Sequence, residues 1–149
     1  GGLISGTSAG AAIQSAVMIT GEEYLNKDED RPYNTIAPKN IETVQGFGWV
    51  TEAVIDQHHI KRRRNNRVLS VVLEHPQLLG VGIDESTAIL VAPDRTFSGL
   101  GDATVIVYDA RNAQNIRVDK FNNIATDNMK VHLLMNGDRF SLLTGERLP

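Results

Sequence analysis

Gly6-Thr7-Ser8-Ala9-Gly10 sets a serine between two glycines in a G-x-S-x-G pattern. A serine on a sharp turn between a strand and a helix is exposed for nucleophilic attack, and so tight a turn asks for small residues two positions to either side. The helix that follows would present backbone N–H groups and a positive dipole end, with the Ala9 N–H standing where an oxyanion develops. The competing reading is a glycine-rich turn that only packs tightly, or one that cradles a phosphate. A serine nucleophile needs a general base, most often histidine. Four histidines are present, at 58, 59, 75 and 132. His75 precedes Pro76 at a helix end, and His132 lies in an alternating stretch that reads as a strand. His58 and His59 follow the apolar run Ala53-Val54-Ile55, at a strand-to-helix junction where sites of α/β folds gather. One of the two is expected to be the base, and position does not say which. Side chains of neighbours on a strand diverge, which disfavours a metal shared by the pair.

A histidine base in turn needs a carboxylate to fix its tautomer and stabilise its cation. Asp84-Glu85, after the run Leu79–Ile83, offers two at a strand end, although acids there also cap or turn a chain. The resulting order, serine then histidine then acid, differs from the serine, acid, histidine order of α/β-hydrolases. Lys61, Arg62, Arg63, Arg64 and Arg67 put five of the 15 basic residues beside the histidines. They read as a solvated helix end, as a nucleic-acid patch without the aromatics that stacking requires, or as a pocket for carboxylates, which arginine grips in a bidentate fork.

The elements that would position these groups follow from periodicity and turn residues. Gly1–Ser5 reads as a short strand, and Ala9 to Ile19 as a buried helix ended by Gly21. Glu22 to Lys39 is a polar surface loop, either a solvated insertion or a lid. Lys61 to Leu73 reads as a helix stopped by Pro76. Strands are expected at 53–55, 79–83, 87–92, 96–100, 104–109, 129–135 and 140–143, with 111–128 as loop and Asn136-Gly137 as a hairpin turn. The 149 residues suffice for one core, with no repeat and no low-complexity segment. No apolar stretch reaches the roughly 18 residues of a membrane-spanning helix, and residues 1–20, without a basic leader, do not read as a signal peptide. A net charge of −3 speaks against nucleic acid or an anionic membrane as partner. The absence of cysteine removes thiol nucleophiles and zinc–thiolate sites, and assigns no compartment.

Taken together, Gly6-Thr7-Ser8-Ala9-Gly10-Ala11, Asp56-Gln57-His58, the R-x-R-x-x-R spacing of Arg62, Arg64 and Arg67, and Gly82-Ile83-Asp84-Glu85 resemble the cyanophycinase family of serine peptidases, to which aspartyl dipeptidase also belongs. Val131-His132-Leu133-Leu134 and Gly137-Asp138-Arg139-Phe140 are similar to that family's closing segment, so the resemblance spans nearly the whole chain. It implies an α/β fold of three layers, α/β/α, with a class I glutamine amidotransferase-like (flavodoxin-like) sheet. Residues 1–149 would be the C-terminal part of a single peptidase domain, beginning at the strand before the serine turn. It implies Ser8 as nucleophile, His58 as base and Glu85 as the orienting acid, with Gln57, Arg62, Arg64 and Arg67 binding substrate and Asp56 lining the site. The implied substrate is cyanophycin, multi-L-arginyl-poly-L-aspartate, whose aspartate backbone is cut to β-aspartyl-arginine dipeptides through an acyl-enzyme. No metal or other cofactor is implied. An aspartyl or isoaspartyl dipeptidase is the alternative within the family, and an inactive or binding-only relative is the alternative outside enzyme chemistry. A glutamine amidotransferase would need a thiol that the chain lacks. His59 and Ile60 stand where an aromatic and a small polar residue are expected, and Arg63 adds a charge, which bears on substrate preference. The family's further strands upstream make this chain expected to be a fragment, or one of two chains with a companion carrying the N-terminal half. A homodimer is the other partner expectation.

Overall fold

The structure, a computed structural model, describes residues 2–25 and 32–149. A central four-stranded sheet carries the architecture. Its members are β3 (Ala53–Gln57), β4 (Leu79–Ile83), β7 (Val105–Asp109) and β10 (Lys130–Leu134), in the order β10-β7-β4-β3. Strands β3 and β4 run parallel, in register from Ala53 opposite Leu79 to Gln57 opposite Ile83, while β7 and β10 are antiparallel to their neighbours. Alternate residues of β3, β4 and β7 face opposite sides. Ile55, Val81 and Val107 join Phe97, Phe140 and Leu142 on one side, and Val54, Ile106 and Tyr108 join Val68, Val71 and Val72 on the other.

The second side is covered by α2 (Asn65–Glu74) and by the pair β1 (Val17–Glu23) and β2 (Ile41–Gln45). Val68, Val71 and Val72 recur at helical spacing and are fully buried. Gly80 lets the helix lie close, because a Cβ there would stand 2.5 Å from Val68 Cγ1. The first side is covered by a second sheet, β12-β11-β6-β5, made of β5 (Thr87–Val91), β6 (Thr96–Gly101), β11 (Arg139–Ser141) and β12 (Glu146–Leu148). The chain is therefore mixed α/β. Among the described residues the layers are helix with hairpin, sheet, and sheet, and a short helix also packs on the first side through Ala11.

Several expectations for single elements are corrected. Residues 2–6 form no strand, since no neighbouring strand supplies a ladder. The helix expected over residues 9–19 is one turn, α1 (Ala9–Ala12), after which Ile13, Gln14 and Ser15 turn the chain and Val17-Met18-Ile19-Thr20 enter β1. Side chains branched at Cβ favour that extended pairing over a helix. Gly21 is a bulge inside β1, not a helix end. Helix α2 starts at Asn65 because His58 and Arg63 hold left-handed φ values of 49° and 54°, which no helix accepts. Residues 111–128 contain a hairpin, β8 (Gln114–Val118) with β9 (Ile124–Asp127). Asn136-Gly137 is a turn, yet the strands it joins lie in different sheets, so it closes no hairpin. Of the expected polar loop, residues 26–31 lie outside the described residues, and beyond them Tyr33 and Ala37 are buried.

Candidate active site

Ser8 opens α1 with φ 54° and ψ −125°. For a residue with a Cβ this backbone is strained, and it survives only where its surroundings hold it. Gly6 explains part of that hold, since a Cβ there would lie 2.0 Å from the Gly10 carbonyl oxygen. Gly10 itself faces open space, so the expected need for a small residue applies at position 6 and not at position 10. The Gln14 carboxamide donates to the Gly10 oxygen at 3.1 Å and braces the turn from below. The Ala9 N–H takes up no acceptor among the described residues and stays available beside Ser8.

The structure separates the two histidines that sequence position left equivalent. Ser8 Oγ lies 3.1 Å from His58 Nε2, and His58 Nδ1 lies 2.9 Å from Glu85 Oε1. With its Nδ1–H donated to Glu85, the His58 ring turns the Nε2 lone pair toward the serine hydroxyl. His58 sits at the first turn position after β3, and Glu85 in the tight turn between β4 and β5. The parallel pairing of β3 and β4 brings these two strand ends together. Asp84 ties the turns to each other, because its Oδ1 accepts the Lys61 N–H at 2.9 Å. Of the Asp84-Glu85 pair, one acid meets the histidine and the other fastens the backbone.

His59 points to the opposite side of the sheet and is completely buried. Its Nδ1 lies 2.9 Å from Asp56 Oδ2, and its Nε2 lies 2.9 Å from the Tyr108 hydroxyl. Asp56 and Arg67 are buried too, at 0% and 1% exposure, and bonded to each other. This corrects two expectations: Asp56 does not line the open site, and the Arg67 guanidinium does not reach it. Each neutralises the other in the interior, the arrangement that makes a buried charge tolerable. Burial raises the Asp56 carboxyl, but the hydrogen bonds from His59 and Arg67 outweigh it and hold the group below the ordinary carboxylate value. Sequence reading passed over Tyr33 and Tyr108, which complete this layer, because an isolated tyrosine in a polar segment or an apolar strand carries no motif.

The remaining arginines differ. Arg62 is exposed on the turn. Arg64 is half-buried, and its Nη1 donates to both the Gln57 backbone oxygen and Gln57 Oε1, at 2.8 and 2.9 Å. A guanidinium only donates, so the Gln57 carboxamide oxygen must face Arg64. That oxygen is also 3.5 Å from Ser8 Oγ. Ser8, Gln57 and His58 lie in the wall of an open cavity of about 1030 Å3, whose other walls include Leu3, Ile4, Trp49, Ile89 and Leu90. Among the described residues no group of three or more His, Asp or Glu is placed to hold a metal ion. The arrangement can move a proton from a serine hydroxyl onto an imidazole whose cation faces a carboxylate.

Comparison with known proteins adds to this geometry. The family model for Peptidase family S51 matches residues 1–98. A cyanophycinase from Geminocystis herdmanii is 31% identical over 144 residues, covering 95% of this chain and 50% of that protein. A cyanophycinase from Trichormus variabilis is 32% identical over 149 residues, covering 98% of this chain and 47% of that one. A cyanophycinase from Synechococcus elongatus is 31% identical over 145 residues, with 95% and 42% covered. The chain thus spans about half the length of the curated relatives it matches.

Proposed function

The chain belongs to Peptidase family S51, and on that premise we propose that it supplies the catalytic residues of a serine peptidase of the cyanophycinase type. The observation that carries the reading is the continuous line from Ser8 Oγ through His58 to Glu85, at 3.1 and 2.9 Å. Ser8 Oγ attacks the scissile carbonyl while its proton passes to His58 Nε2. Charge develops on the carbonyl oxygen beside the Ala9 N–H, a preorganised donor of the kind worth about 10²–10³ in rate. His58 then hands the proton to the leaving amine, the C–N bond breaks, and an ester on Ser8 remains. A water molecule loses a proton to His58 and attacks that ester, and collapse returns the proton to Ser8 Oγ and releases the acid. Glu85 accepts the Nδ1–H throughout and stabilises the imidazolium.

The substrate reading is a peptide rich in carboxylates, with multi-L-arginyl-poly-L-aspartate cut to β-aspartyl-arginine dipeptides. It is supported by the names of the relatives and by the cationic turn beside the base. Of the three arginines in the R-x-R-x-x-R spacing Arg62 alone is exposed, beside the exposed Arg63, and Gln57 offers its carboxamide from the cavity wall. In the whole protein the central sheet would be extended to the flavodoxin-like α/β/α arrangement, by residues of the same or a companion chain. A serine-directed fluorophosphonate tests the reading: it is expected to label the protein at Ser8, and Ser8→Ala is expected to lose both the label and peptide release. Release of dipeptides from the polymer supports the polymer substrate, and turnover of isoaspartyl dipeptides alone would replace it. An unlabelled Ser8 in folded protein would make this a binding-only relative.

A further inference from the structure

We propose that His59 is a positioning residue, whose buried imidazole sets the pose of His58 toward Ser8. The proposal rests on the reading of His58 as the base, and goes beyond it by assigning a task to the neighbouring histidine.

The need for such a device is local. His58 holds a φ of 49°, a conformation that relaxes unless neighbouring contacts fix it. The Arg62 N–H donates to the His58 oxygen at 2.9 Å and closes the turn, and the next residue ties that turn to the rest of the fold. The His59 N–H donates to the Ile83 oxygen at 3.2 Å, and the His59 oxygen accepts the Arg64 N–H at 2.9 Å. The side chain then locks the residue at both ring nitrogens, to Asp56 and to Tyr108. Gly82 supplies the slot, for a Cβ there would stand 2.3 Å from His59 Cδ2.

Asp56 and Arg67 set the directions of the hydrogen bonds in this layer. Asp56 is ionised between Arg67 and His59 and can only accept, so His59 Nδ1 carries the hydrogen. In the neutral imidazole Nε2 is then a lone pair that accepts the Tyr108 O–H. Burial raises the Tyr108 phenol, and so keeps it a donor. The Asn65 carboxamide donates to the Tyr108 oxygen at 2.7 Å. At the far end, Arg67 Nη1 donates to the Tyr33 hydroxyl at 3.1 Å, which donates to the Gly21 oxygen at 2.6 Å. The chain of donors therefore runs one way from α2 through Tyr108 and His59 to Asp56, and ties the catalytic turn to α2, β7 and β1. Two adjacent imidazoles each hold a carboxylate through Nδ1. The one open to the cavity faces the serine, and the buried one keeps the first in place.

The variant Tyr108→Phe removes the donor to Nε2 while keeping the ring, and His59→Gln removes the imidazole. The full protein is labelled at Ser8 with a fluorophosphonate, and the imidazole nitrogens of His58 are followed by ¹⁵N NMR through a pH titration. In Tyr108→Phe the labelling rate is expected to fall about tenfold and the His58 midpoint to move, in protein still folded at the assay temperature although the unpaired His59 Nε2 lowers its melting temperature by several degrees. His59→Gln is expected to do the same more strongly. A His58 midpoint that differs between Tyr108→Phe and a parent that never labels would keep the positioning role and remove the peptidase reading. A parent that labels, with a rate and a His58 midpoint unchanged in Tyr108→Phe, would overturn the positioning role and leave the peptidase reading standing.

Discussion

At the scale of single residues, the catalytic turn rests on a charge that has been taken out of water. Asp56 is fully buried, and its carboxylate is held below its ordinary value by His59 and Arg67. A carboxyl whose folded value is depressed contributes stability that is complete above its unfolded value of about 3.9 and is lost as pH falls through the folded one. The protein is therefore expected to lose stability on acidification below about pH 4. Asp56→Asn leaves Arg67 as an uncompensated buried charge, and is expected to cost about 3 kcal/mol at pH 7. The difference should shrink toward acid pH, where the parent's own carboxyl takes up a proton. Urea titrations of both proteins at pH 7 and at about pH 3 measure it. An equal difference at both values would mean that ionisation of Asp56 contributes nothing.

At the scale of elements, two glycines of one strand serve two different neighbours, which allows structure and function to be separated. Gly80 admits α2, with a would-be Cβ 2.5 Å from Val68 Cγ1, and Gly82 admits the His59 ring at 2.3 Å. Both alanine variants are expected to lose about 1–3 kcal/mol through overpacking. Gly82→Ala is expected also to slow labelling of Ser8 severalfold, while Gly80→Ala keeps a rate near the parent's; thermal melts and labelling kinetics on the same samples check both. Strand β4 was legible in sequence because Leu79-Gly80-Val81-Gly82-Ile83 is a short apolar run between turn residues, and Ala53-Val54-Ile55 was legible for the same reason. Three residue types in the right order also pointed to Ser8, the histidine pair and the Asp84-Glu85 pair, and the choice of Glu85 came from the family resemblance alone. What sequence did not yield depends on contacts distant along the chain. Small residues after Ser8 suggest a long helix, yet Val17 pairs with Gln45, and that remote partner decides for a strand. Strand β8 is exposed along its length, so no apolar period marks it, and only its pairing with β9 makes it a strand. Position along the chain did not separate His58 from His59, although the resemblance named His58; the side of the sheet each ring faces separates them, and the turn at φ 49° decides that.

At the scale of the whole molecule, the wall opposite the catalytic line is apolar and open. Leu3, Ile4 and Leu90 line the cavity with 80%, 52% and 50% of their surfaces exposed, and Leu100 beside them is at 45%. Exposed apolar surface of this kind marks a ligand groove or a surface that another polypeptide covers. The relatives are about twice as long as this chain, so further polypeptide of the same family is the occupant we expect, on the same chain or a companion. A polypeptide of these 149 residues alone is accordingly expected to bind a hydrophobic dye and to elute above its 16.3 kDa. Leu3→Ser with Leu90→Ser should reduce both effects without touching Ser8, His58 or Glu85. Supplying the remaining family segment in trans should suppress dye binding and raise the rate of Ser8 labelling, because covering the wall excludes water from the serine and strengthens every interaction there. A 16.3 kDa species that stays monomeric at high concentration, binds no dye and labels at the rate of the longer protein would show that the wall needs no cover.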